Sequence, residues 1–350
     1  MVSLLTVGAL LASCSNGSES TTSSPNLTTA VTTTSSTSSS TTEAASTSST
    51  ASAPEPESSD PLDVQGHRGA RGLQPENTLP AFEVALDAGV NTLELDLHFT
   101  QDGQVVVWHD PTVPTEKCET GDSPDAATLD SAIANLSRAE LAGFRCDKNP
   151  DAGRFPDQTA TPTALAGDNY SIVTLDELFE FVAAYSTSEL KTEEQRTNAE
   201  SVRFNVETKR QPQRPETIND GFDGVNPGPF EVAILETITA RGAQDRVTIQ
   251  SFDHRSLRAI RTIEDSISLA ALSRRNVPFD AGLADFAQIW SPDYRSLSAS
   301  GLDKAQAVGM MVIPWTVNDT SDMNRLIDLG VDGLITDRPD LLIQEIASRP

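Results

Sequence analysis

Glu94 and Asp96 flank Leu95, and Glu207 and Lys209 flank Thr208, each pair inside an apolar or β-branched run. Positions two apart on a strand point to the same side, so each pair shares a face. Charged pairs fit poorly in an apolar layer and belong where a strand ends. Glu94, Asp96 and Glu207 offer only hard oxygen donors, which suit a divalent cation such as Ca²⁺ or Mg²⁺ better than zinc. His67 and His109 close two further runs. Their imidazoles titrate in the range needed to take a proton from an attacking hydroxyl and give one to a departing alkoxide. With Lys209 and Arg68 as further donors to anionic oxygens, this is a set suited to cleaving a phosphodiester. The other two histidines read as structural, His98 because it lies beyond the acidic pair and His254 because it opens a helix.

Eight short runs carry these residues: Val64 to His67, Leu93 to Asp96, Phe204 to Lys209, Val247 to Ser251, Ile267 to Leu272, Ile289 to Pro292, Met311 to Val317 and Leu334 to Asp337. Amphipathic helical patterns separate most of them, as in LPAFEVALDAG, LDELFEFVAAY, EVAILETITARG, LRAIRTIED, LDKAQAVG and MNRLIDLG. Several stop at a glycine, at Gly89, Gly242, Gly309 and Gly330, the expected residue past a helix end. This alternation predicts one α/β domain over 61–350, a single (β/α)8 TIM barrel, with its site at the C-terminal ends of the strands.

One connection departs from the rhythm. LHFTQDGQVVVWHD leaves no room for a parallel crossover, so it predicts a β-hairpin extension of the second strand. A two-residue turn at Asp102-Gly103 would set Asp96 opposite His109. Residues 111–171 follow, with few periodic apolar segments, and read as an inserted loop subdomain that either shapes access to the mouth or decorates the surface. Asn77 or Thr78 is placed to cap the helix containing Pro80, and Glu76 is not read as a ligand.

Residues 15–60 are nearly all small and polar and lack the large apolar side chains of a core, so they read as a disordered Ser/Thr-rich tether. Ahead of them, an apolar stretch ending Leu11-Ala12-Ser13-Cys14 resembles a bacterial lipobox, although no Lys or Arg precedes Cys14. The expectation is a lipoprotein signal peptide over 1–14, export, and membrane tethering through lipidated Cys14 on the extracellular face. Export in turn makes a Cys118–Cys146 disulfide the expected fate of the other two cysteines, a bridge within the 111–171 insertion. It would contribute about 3 to 4 kcal/mol in the chain-entropy view. A net charge of −26 argues against general nucleic-acid binding and requires that cations holding an anionic substrate be local.

The stretch GHRGARGLQPENTLPAFEVALDAGVNTLELDLHFTQDGQVVVWHD resembles the N-terminal signature of the glycerophosphodiester phosphodiesterase family, with its HRG, PENT, ExD, DG and HD elements. NVETK, QSF, PWTVN and DGLITDRP are similar to later pieces of that family. The resemblance implies hydrolysis of glycerophosphodiesters to sn-glycerol 3-phosphate and an alcohol. It implies His67 and His109 as the catalytic pair, Glu94, Asp96 and Glu207 as metal ligands, and Arg68 and Lys209 as phosphate contacts. Trp315 and, in the same way, Phe252 would be walls of the pocket. It leaves open whether water or the substrate's own hydroxyl attacks. The nearest rival is a phospholipase of the same barrel architecture acting on intact lipids, since fold alone does not separate the two. A surface module that binds without cleaving is disfavoured by the full set of acids and imidazoles.

Overall fold

A computed structural model of the chain describes residues 61–121 and 128–349. The lipobox around Cys14 and the 15–60 tether lie outside the described residues. Eight parallel strands form the barrel: β1 (Asp63–His67), β2 (Thr92–Phe99), β6 (Arg203–Thr208), β7 (Val247–Ser251), β8 (Ser268–Ser273), β9 (Ile289–Pro292), β10 (Met311–Val312) and β11 (Gly333–Thr336). They are hydrogen-bonded in the order β10-β9-β8-β7-β6-β2-β1-β11. The seam is drawn together by backbone bonds from Asp332 to Val312, from Ile335 to Pro314 and from Val317 to Ile335. The seventh run is strand only at its start, because Pro314 has no N–H to contribute to a ladder.

β2 illustrates how the sequence divides inside from outside. All eight residues of TLELDLHF are buried. Leu93, Leu95 and Leu97 join the main core together with Phe82 and Leu86 of α1 (Leu79–Ala88) and Leu178 and Phe179 of α3 (Leu175–Thr187). The alternate positions, Glu94, Asp96 and His98, therefore face the barrel side. There a small apolar cluster of Ala270, Ile289, Ile313 and Ile335 fills one part of the interior. Gln65 and Asn205 pair at 2.8 Å in another.

Helices α4 (Glu193–Ser201), α5 (Pro229–Ala240), α6 (His254–Arg261), α7 (Ala299–Ala307), α8 (Thr320–Leu329) and α9 (Pro339–Ala347) complete the outer layer. The β8 to β9 link carries only a short 3-10 turn, Ala281–Asp285. α4 escapes a periodicity search because Ala199 is its single buried residue. α1 is capped at its start by Thr78, whose side chain accepts from the Ala81 N–H, and at its end by Gly89 with φ 89°.

The hairpin exists, with β3 (Val105–Val107) antiparallel to β2, but its register is one residue from the expected one. The turn has three residues, Gln101 to Gly103, closed by the Thr100 N–H donating to the Gln104 carbonyl at 3.0 Å and the Gln104 N–H to the Thr100 hydroxyl at 2.8 Å, with Gly103 left-handed at φ 78°. Trp108, not His109, therefore lies opposite Asp96, its N–H donating to the Asp96 carbonyl at 2.9 Å. The insertion has a core of its own, in which Trp108, Ile133, Leu141 and Phe144 pack around the Cys118–Cys146 disulfide. It also contains α2 (Arg138–Leu141) and a two-stranded ribbon, β4 (Glu119–Thr120) with β5 (Phe144–Arg145).

Candidate active site

Strand register assembles the acids. Asp96, Glu207 and Gln250 are direct neighbours in one row across β2, β6 and β7, and His67 pairs with Glu94 across β1 and β2. Glu94, Asp96 and Glu207 are buried and bring one carboxylate oxygen each within 4.8 Å of the others. Glu94 and Glu207 border a cavity of about 360 Å³ that is also lined by His67, Arg68, His109, Lys209, Phe252 and Trp315.

Each acid is held differently. Glu94 accepts from the Arg68 backbone N–H at 2.9 Å and from Gln250 Nε2 at 2.7 Å. Asp96 Oδ2 accepts from Asn77 at 2.8 Å and lies 3.1 Å from Arg68 Nε, while its buried Oδ1 faces Lys209 Nζ at 3.3 Å without a hydrogen bond. Lys209 also lies 2.9 Å from Glu207 Oε1. Burial, with the charge of Asp96 added, pushes the Glu94 carboxyl well above its usual range. Glu207 is raised by burial and by Asp96 against the pull of Lys209. For Asp96 burial works the same way, but Arg68 and Lys209 outweigh it and hold the carboxyl down. An all-oxygen set, crowded and with one buried oxygen lacking a donor, fits a hard divalent cation.

Backbone geometry at the HRG turn serves the same cluster. Arg68 takes φ 53°, a left-handed conformation costing roughly 1 to 3 kcal/mol for such a residue. That conformation aims its N–H at Glu94. Gly69 follows at φ 82°, where a Cβ would stand 2.6 Å from the Ala81 backbone. Asn77, also left-handed at φ 57°, turns its amide to Asp96, so Thr78 alone caps α1.

Both imidazoles use Nδ1 on a carboxylate and leave Nε2 for the cavity. His67 Nδ1 donates to Asp337 Oδ1 at 2.6 Å, with Nε2 3.8 Å from Glu94. His109 Nδ1 donates to Asp110 Oδ1 at 2.7 Å. Burial and then the positive charge of Arg71 lower His67 to about 4, and burial and then Arg68 lower His109 to about 4. His98 contacts the His109 carbonyl at 3.2 Å, and His254 contacts the Leu272 carbonyl at 2.9 Å. Arg68 and Lys209 lie on the acids themselves. Trp315 and Phe252 stand edge-to-face with ring centres 5.3 Å apart at the cavity wall.

Sequence reasoning missed the supports. Asp337 holds His67 and also accepts from Arg71 at 2.8 and 2.9 Å and from Asn318 at 2.6 Å. It ended the eighth run, so its place at the rim was a readable signal. Glu76, passed over as a ligand, binds Arg68 at 2.9 Å, Arg71 at 3.3 Å and Lys117 at 2.8 Å. Glu76, His109 and Asp110 also bring donor atoms together, but the Lys117 ammonium bridges the two carboxylates there and takes the place of a cation.

Residues 67–341 match the model of the glycerophosphoryl diester phosphodiesterase family. A glycerophosphodiester phosphodiesterase of Caldanaerobacter subterraneus subsp. tengcongensis is 29% identical over 283 residues, 80% of this chain and 96% of that protein. A lysophospholipase D of Mus musculus is 25% identical over 286 residues, 79% of this chain and 83% of that protein. Among solved structures, one from Silicibacter pomeroyi DSS-3 matches with a TM-score of 0.66 at 25% identity, covering 82% of this chain and 94% of that one. An Oleispira antarctica phosphodiesterase solved with the product sn-glycerol-3-phosphate has a TM-score of 0.61 at 20% identity, over 82% and 97% of the two chains.

Proposed function

The chain belongs to the glycerophosphoryl diester phosphodiesterase family and hydrolyses glycerophosphodiesters to sn-glycerol 3-phosphate and an alcohol, and on that premise we propose how its own residues do so. The observation that carries the reading is the clustering of Glu94, Asp96 and Glu207 beside the Nε2 atom of His67. These three carboxylates would hold one Ca²⁺ or Mg²⁺, whose charge neutralises a non-bridging phosphate oxygen. Arg68 and Lys209, already at the acids, add donors to the same phosphate.

Asp337 and Asp110 fix the two imidazoles in the tautomer whose Nε2 is free to accept a proton. One imidazole takes the proton of the attacking hydroxyl, and the other, charged beside the anionic substrate, returns one to the departing alkoxide. The Phe252–Trp315 corner packs against the carbon skeleton of the substrate. The lipobox likeness and the disulfide support a further reading, an exported lipoprotein tethered through Cys14 by the 15–60 segment on the extracellular face of the membrane.

The test is release of sn-glycerol 3-phosphate from glycerophosphocholine by the purified chain. Turnover is expected to vanish with chelator and return with Ca²⁺ or Mg²⁺, and to be lost in His67→Ala and Glu94→Ala. Turnover indifferent to chelation sinks the metal assignment. Cleavage confined to intact phospholipids or lysophospholipids replaces the substrate class, an arm suggested by the lysophospholipase D relative.

A further inference from the structure

The 111–171 insertion meets the site at several points: Arg154 lines the cavity 3.6 Å from Asp337 Oδ2, Gln158 donates to the Arg71 carbonyl at 2.6 Å, and Lys117 brings an ammonium between two carboxylates. Lys117 immediately precedes the disulfide cysteine Cys118, in a turn where the N–H groups of both residues donate to Pro114 at 3.1 and 3.0 Å. Its carbonyl is held in turn by the Lys148 N–H at 3.1 Å. The chain is thus pinned on both sides of the residue. From this anchor the side chain, 15% exposed, reaches the barrel mouth and ends between two carboxylates, Glu76 Oε1 at 2.8 Å and Asp110 Oδ2 closer still.

Each carboxylate has its other oxygen on a group of the site. Asp110 Oδ1 accepts from His109 Nδ1 at 2.7 Å. Glu76 Oε2 accepts from Arg68 at 2.9 Å and Arg71 at 3.3 Å, and Arg71 passes to Asp337, which holds His67. Removing the ammonium would leave two facing carboxylates with no cation between them, and repulsion would draw Asp110 off His109 and Glu76 off the arginines. Against partial burial, the hydrogen bond from His109 and the charge of Lys117 hold the Asp110 carboxyl at about 2, so it stays an ionised acceptor.

We propose that Lys117 is a positioning residue for the reaction, a contact through which the disulfide-stapled insertion orients His109 and, by way of Glu76, Arg68 and Arg71. The proposal rests on the hydrolytic reading above.

The experiment measures kcat and KM for glycerophosphocholine in the full chain with divalent cation, per folded molecule by thermal melting. Lys117→Met is expected to lose about 10- to 100-fold in kcat, the usual loss for an outer support, with KM changed by less than about threefold. Lys117→Arg should recover most of it. Lys148→Met removes the other ammonium of this turn, which bonds Thr115 O at 3.1 Å and Cys118 O at 2.7 Å, and should leave kcat near wild type. Asp110→Asn combined with Lys117→Met should cost little more than Asp110→Asn alone. Wild-type kcat in Lys117→Met, an equal loss in Lys148→Met, or multiplying losses in the double variant would overturn the proposal. A wild-type chain that releases no sn-glycerol 3-phosphate sinks the enzymatic reading itself, and this one with it.

Discussion

Lys209 and Arg210 are adjacent at the end of β6, yet they enter two opposite kinds of charge cluster. Arg210 closes a complete one. Its guanidinium donates to Glu231 at 2.5 and 2.7 Å and to Asp220 at 2.9 and 2.5 Å. Ser256 and the Gly228 N–H satisfy the remaining capacity of Glu231, and the N–H groups of Phe222 and Phe230 do the same for Asp220. Phe222 covers the guanidinium with its centroid 4.2 Å away. Lys209 enters an incomplete cluster, where three buried carboxylates crowd together, two of them pushed up, and an oxygen of Asp96 lacks a donor. A saturated buried network serves the fold. A frustrated one persists where something else completes it, which in the proposed function is a cation and an anionic substrate.

The sharpest way to break this contrast is to neutralise one member of each cluster. Glu94→Gln should lower kcat by about 10³-fold, as for loss of a main electrostatic group. Because it relieves crowding, keeps an acceptor for the Arg68 N–H and lets the turned Gln250 amide accept from the new NH2 through its unpartnered oxygen, it should melt at or above the wild-type temperature. If instead it melts several degrees lower, the mouth is as saturated as the Arg210 network and the comparison fails.

Glu231→Gln should do the reverse. Unbalancing a fully buried pair costs about 3 kcal/mol, or roughly 5 °C in Tm for a domain of this size. Its kcat per folded molecule should stay within about twofold of wild type. A large fall in kcat without a change in Tm would move Glu231 into the working site.

The same contrast explains what the sequence discloses. Glu94 with Asp96 and Glu207 with Lys209 were legible because strand period places such pairs on one face, and a charged pair there has few structural uses. The barrel was legible from alternation. The pairing of the supports was not: Asp337 stands at a readable strand end, but it reaches His67 across 270 positions of sequence, and only closure of the barrel makes them neighbours. The Asp110 to Lys117 contact depends on an insertion whose Ile133, Leu141 and Phe144 pack against Val106, Trp108 and Ile172 flanking it, too scattered to give a period. The hairpin register differs by one because Asp102-Gly103 is only part of a turn that also includes Gln101. Arg210 and Glu231 were silent for a different reason, since a single charge at a strand end and another in a helix have no pattern until they meet.

The smallest effect tests saturation by pH. Partial burial opposes ionisation of Asp220, but hydrogen bonds from Arg210 and its charge outweigh that and lower the carboxyl below its ordinary value. A lowered acid binds fewer protons folded than unfolded, so stability rises with pH through that window. The contribution of Asp220 is therefore complete above the unfolded value near pH 4 and is lost as pH falls through the lower folded value. Asp220→Asn should be less stable than wild type at pH 7 by about 1.5 to 3 kcal/mol, the size of a hydrogen bond to a charged group. In urea titrations repeated from pH 7 to pH 3, the gap should stay constant down to about pH 4 and then narrow. A gap unchanged at pH 3 would mean that the ionised form of Asp220 is not what the Arg210 network selects. Saturation there would then rest on shape and hydrogen-bond count rather than on charge.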